Sequence, residues 1–201
     1  MLIAFRVINA DPLGDYREAA MTTKGLVPGE YPQKKFGSEQ EKAAVEWWVR
    51  QIVANHSVLR SVRFRMTGRA PKSVVMQLIR ATKGHPQPEV QSSRPDWTGK
   101  ERSGDPYEEI LFIQDHTAES FVEMAKQRLC LRTEATTRQF MLKAVDELRR
   151  SSDPFLVAVG LCSQPSCVWH GACPEFKPCS SAARRLSDLI LSLPDIVHNP
   201  A

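Results

Sequence analysis

The spacing of hydrophobic positions changes several times along the chain, and each change predicts an element. Residues 1–9 (MLIAFRVIN) read as an opening strand, and Asp11 to Gly14 as the turn that follows it. Residues 24–37 hold two prolines and three glycines and predict a loop. Ser38 stands three positions before Glu41, the capping-box spacing in which a hydroxyl and a carboxylate satisfy the free backbone N–H groups of a helix start, so a helix is expected over about 39–54. Over 61–67, Val62, Phe64 and Met66 alternate with Arg63 and Arg65, the two-residue period of a half-buried strand. After Pro71 the period switches to helical, with Val74, Val75, Leu78 and Ile79 on one face.

Residues 84–106 show no period and are rich in proline and glycine, which predicts a long loop of the kind that usually serves function. Helices are expected over 117–129 and 134–150, a short strand or buried segment over 155–161, and a last helix over 182–193. No internal repeat is visible. These strands and helices are compatible with one α/β domain over residues 1–201.

Composition narrows the picture. At 42% apolar and 25% charged residues the 201-residue chain has the make-up of a globular protein rather than a disordered one. Its apolar runs, such as Phe155 to Cys162, are too short to cross a bilayer, and the opening ten residues lack the apolar core of an export leader, so a cytoplasmic protein without membrane contact is expected. A net charge of +4 suits a site that collects phosphates or carboxylates. No block of like charge appears, and the Arg60, Arg63 and Arg65 stripe reads as the wet face of a strand, so no nucleic-acid partner is expected. The glycine-rich GxGxxG and GxxxxGK[ST] signatures of nucleotide-binding loops are absent.

Arginine carries most of the candidate chemistry. Arg80, Arg94, Arg102, Arg128 and Arg132 fall at helix ends or in the long loop, where guanidinium forks can meet phosphate oxygens. Gln77 and Arg80, three apart on a helix, combine an amide with a fixed cation, a set suited to a uracil ring or a phosphate. Gln91-Ser92-Ser93-Arg94 offers hydroxyls, a cation and loop N–H groups to an anion. Cys162, Cys167, Cys173 and Cys179 crowd together near His170 without the CxxC pairs of zinc ribbons. They read first as reduced structural thiols, with zinc or redox chemistry as alternatives, and no metal is assigned. His56, His85, His116 and His198 show no metal-ligand spacing either.

In order along the chain, the blocks 19–23 (AAMTT), 55–64 (NHSVLRSVRF), 77–80 (QLIR), 91–94 (QSSR) and 128–132 (RLCLR) resemble the flavin-dependent thymidylate synthase family, and 165–175 is similar to the cysteine-bearing tail of some members. The resemblance implies that family's α/β fold, a twisted sheet flanked by helices, and a homotetramer with active sites shared between subunits. It also implies a reaction: NADPH reduces FAD, and the methylene of 5,10-methylenetetrahydrofolate moves to uracil C5 of a pyrimidine nucleotide monophosphate, UMP or dUMP, and becomes a methyl group. By matched position, Gln77, Arg80, Gln91, Ser92, Ser93, Arg94 and Arg128 would hold the nucleotide, with Arg128 and Ser92 catalytic. Thr23, Ser57, Arg60, Arg80, Thr82, Lys83 and Arg132 would face the flavin. The family's Arg-His-Arg triplet is Arg80-Ala81-Thr82 here, Pro95 stands at its tyrosine, and Thr117 to Glu119 lacks its asparagine and arginine. Two expectations follow: a divergent methylase of the kind that serves nucleoside-antibiotic pathways such as polyoxin synthesis, or a nucleotide-binding homotetramer whose flavin site has decayed.

Overall fold

A computed structural model describes residues 2–25, 41–81, 89–92, 94–99 and 104–179. The opening strand is β1 (Leu2–Val7), and Asp11 and Pro12 then begin helix α1 (Pro12–Thr22) rather than a turn. The Asp11 carboxylate accepts from the Gly14 N–H at 3.0 Å, and Pro12 occupies the first turn, where its missing N–H costs nothing. Helix α2 (Glu41–Ala54) matches the expected one, although the capping serine Ser38 lies outside the described residues, as does the helix expected over 182–193.

A 3-10 turn (Ser57–Ser61) leads into β2 (Arg63–Pro71), and helix α3 (Lys72–Ala81) follows at once. The segment expected to be one loop contains the short strand β3 (Glu89–Val90) and a helical turn, α4 (Pro95–Thr98). Strand β4 (Glu109–Thr117) was not legible as a strand because the alternation is inverted. Its inward face carries the polar Gln114 and His116 beside Phe112, while the apolar Leu111 and Ile113 point outward.

The four strands form one antiparallel sheet in the order β1-β2-β4-β3. On its inner face Phe64, Met66, Ala70 and Phe112 are fully covered, each large side chain contributing about 1.5–3 kcal/mol by leaving water. On its outer face Arg63 and Arg69 are exposed, and the Arg65 fork grips Asp115 of β4 at 2.6 and 2.8 Å. An antiparallel sheet tolerates this one-sided wetting.

The inner face is packed by helices. Thr117 and Ser120 exchange backbone and side-chain hydrogen bonds in a capping box that starts α5 (Ala118–Arg128). Helix α6 (Ala135–Arg149) follows, capped by Glu134. Residues 155–161, expected as a strand or buried segment, belong to helix α7 (Pro154–Cys162), which packs on α2 and α6. A helix covered on nearly every side loses the amphipathic period that would distinguish it from a buried strand. The discriminating signal was the Asp153-Pro154 start: the Asp153 carboxylate accepts from the N–H groups of Phe155 and Leu156. A short helix, α8 (Ser166–His170), ends the described packing. Among the described residues no helix is long and apolar enough to cross a membrane.

Candidate anion-binding site

Helix α3 buries Val74, Val75, Leu78 and Ala81, which leaves Gln77 and Arg80 on its flank near the last turn. Helix α5 buries Phe121, Val122, Met124 and Ala125 and carries Lys126 and Arg128 in its last turn, where the negative end of the helix dipole favours cations. The two helices pack against each other, so Gln77, Arg80 and Arg128, separated by about fifty positions in sequence, come together. Arg128 Nη2 donates to the main-chain carbonyl of Gln77 at 2.7 Å.

The Arg128 guanidinium is half-buried, and its Nε is covered without a hydrogen-bond partner among the described residues. Burial, and then the nearby Arg80 cation, push its pKa below the ordinary arginine value. Neither Arg80 nor Arg128 is in an ion pair among the described residues. Two adjacent guanidiniums without a carboxylate, one with an orphaned donor, form a site that gains from an anion.

Gln91, Ser92 and Arg94, also expected at the nucleotide, make local contacts. Gln91 extends the sheet edge: its N–H donates to the Leu111 carbonyl, and its side-chain Oε1 accepts from the Leu111 N–H at 3.2 Å. Ser92 Oγ accepts from the Arg94 N–H at 3.1 Å, and the Arg94 fork closes on Asp96 within the same loop. Ser93 lies outside the described residues.

The described positions expected at a flavin make contacts of their own. Arg60 forms a two-point ion pair with Glu119 at 2.7 and 3.2 Å, so the guanidinium expected at the flavin is engaged by a carboxylate. The Thr23 hydroxyl donates to the Ala20 carbonyl of its own helix. Ser57 opens the 3-10 turn, and Arg132 is exposed on the turn after α5. Thr82 and Lys83 lie outside the described residues.

No known family model and no curated protein matches this chain. The likeness to flavin-dependent thymidylate synthases rests on the short blocks themselves, and the geometry speaks to three of their residues: Gln77, Arg80 and Arg128.

The cysteines regroup in three dimensions. Cys162 is buried in the core, and desolvation pushes its thiol up to about 12. Cys130, on the turn between α5 and α6, instead shares a cavity with Cys167, Cys173 and Cys179. Sequence reasoning missed Cys130 as a member of this group because it lies far from the other three along the chain. Only the packing of α8 on α5 joins them.

Proposed function

We propose that the protein binds a pyrimidine nucleotide monophosphate at Gln77, Arg80 and Arg128, and that the reaction implied by the family resemblance, methylation at uracil C5, takes place on that nucleotide. The observation that carries the reading is the buried Nε of Arg128, near Arg80 and without a partner among the described residues. In this role Arg128 stabilises the pyrimidine anion that develops as C5 becomes nucleophilic, and it does so without giving up a proton. Arg80 holds the phosphate or adds to the field at the ring, and the Gln77 amide supplies a donor and an acceptor to the base edge.

The carbon donor would be methylenetetrahydrofolate and the reductant NADPH acting through FAD. No step is routed through the flavin. The Arg60–Glu119 pair and the engaged Thr23 hydroxyl favour a second reading, in which a homotetramer of the same fold binds the nucleotide without flavin turnover.

The test is direct. Binding of UMP and dUMP to the full chain is measured by calorimetry, and each nucleotide is then incubated anaerobically with protein, FAD, NADPH and methylenetetrahydrofolate. A pyrimidine product heavier by one methyl group supports methylation, and the preferred nucleotide separates the ribose from the deoxyribose substrate. Binding without product supports the second reading. If neither nucleotide binds, the site assignment fails.

A further inference from the structure

Four of the five cysteines line a cavity of about 220 Å³ between the α5–α6 turn and the segment around α8. No disulfide joins the described cysteines. Yet among the described residues no three His, Cys, Asp or Glu side chains converge on a point that a single metal ion could occupy. A tetrahedral zinc requires such a point, about 2.3 Å from every sulfur.

An iron–sulfur cluster requires something different. Each thiolate binds its own iron at the outside of the cluster, so the four sulfurs stand apart around a body that fills the space between them. The four cysteines that line this one cavity can supply four such thiolates. Its lining also includes Lys126 and Arg138, whose charges oppose the net negative charge of a thiolate-bound cluster; Glu175 lines it as well. Lys126 pairs with Glu123 and stands 4.2 Å from the Trp169 ring centroid, and Arg138 Nε donates to the Leu129 carbonyl, so both side chains are held beside the cavity.

We propose that Cys130, Cys167, Cys173 and Cys179 bind a [4Fe–4S] cluster in this cavity. On assembly the four thiols release their protons to solvent and form four iron–sulfur bonds. Iron that is half ferrous and half ferric, together with inorganic sulfide, supplies the rest, so the protein undergoes no net oxidation or reduction. The site is independent of the Arg80–Arg128 pair and of the nucleotide reading.

The experiment is anaerobic reconstitution of the full chain with iron and sulfide, followed by desalting and by iron, sulfide and absorbance measurements. The expected result is a brown protein with about four irons and four sulfides per chain. Cys167→Ser and Cys173→Ser should each lose most of that iron and colour, whereas Cys162→Ala, whose thiol lies in the core away from the cavity, should keep both. Circular dichroism of the iron-free variants checks that each is folded. Absence of cluster from folded wild-type protein would overturn the proposal. Equal loss in folded Cys162→Ala, or a tetrathiolate zinc complex that forms in place of the cluster when both metals are offered, would overturn it as well.

Discussion

The Arg128 guanidinium reaches across from α5 and donates to the Gln77 carbonyl of α3 at 2.7 Å, leaving its Nε buried beside Arg80 without a partner among the described residues. One fork thus ties two helices together and keeps a donor in reserve. Arg128→Lys separates the two roles, because lysine keeps the charge and loses the fork. Nucleotide affinity should fall by about 10- to 100-fold, the equivalent of the roughly 1.5–3 kcal/mol carried by a hydrogen bond to a charged group. A melting temperature that drops while affinity stays unchanged would assign Arg128 to helix packing alone.

Glu134 caps α6 with an acid whose pKa the fold depresses. Its carboxylate accepts from the N–H groups of Thr136 and Thr137 and from the Thr137 hydroxyl, each at 2.8 Å, and these bonds hold the group at about 2 against an ordinary 4.5. The folded value lies below the unfolded one, so this stabilisation is present above about 4.5 and is lost as pH falls from there through about 2. Glu134→Gln should cost about 1 kcal/mol at neutral pH, the usual worth of a helix cap. It should also flatten the acid limb of stability, followed by urea unfolding across that pH range.

Helices α6 and α7 meet where Gly160 leaves no room for a side chain. A Cβ at this position would stand 2.9 Å from Leu148 Cβ and 3.0 Å from the Arg149 backbone nitrogen. The Gly160 carbonyl also accepts from Arg149 Nε at 3.2 Å. Gly160→Ala should therefore destabilise by about 1–3 kcal/mol through overpacking, despite alanine's better helix propensity. Thermal unfolding checks this: an unchanged or raised Tm would mean that the two helices can slide apart without loss.

Gln114 gives the opposite expectation. It is 1% exposed, and neither its Nε2 nor its Oε1 has a hydrogen-bond partner among the described residues. Leaving polar atoms dry and unpaired costs about 1–3 kcal/mol, so the similarly sized Gln114→Met should stabilise the fold by a comparable amount. Denaturant unfolding is the measurement. A loss of stability would show that the amide carries a hydrogen bond worth more than its burial costs.

Local pattern alone determined much of this protein. The alternation of Val62, Phe64 and Met66 with two arginines requires β2 to bury one face, and the spacing of Val74, Val75 and Leu78 requires α3 to turn another inward. The starts of α5 and α6 were legible as well, because their capping groups are sequence neighbours of the N–H groups they satisfy. Tertiary structure decided what local pattern could not encode. Helix α7 is covered on several sides and so shows no period, while β4 turns Gln114 and His116 inward against the usual rule because its neighbours, not its own sequence, define which face is the core. Arginine identity marked Arg80 and Arg128 as candidates, but the packing of α3 on α5 put them side by side. Cysteine counting pointed to a tail of four, and folding exchanged Cys162 for Cys130. Burial and proximity between distant residues belong to the packed chain, and a linear pattern carries neither.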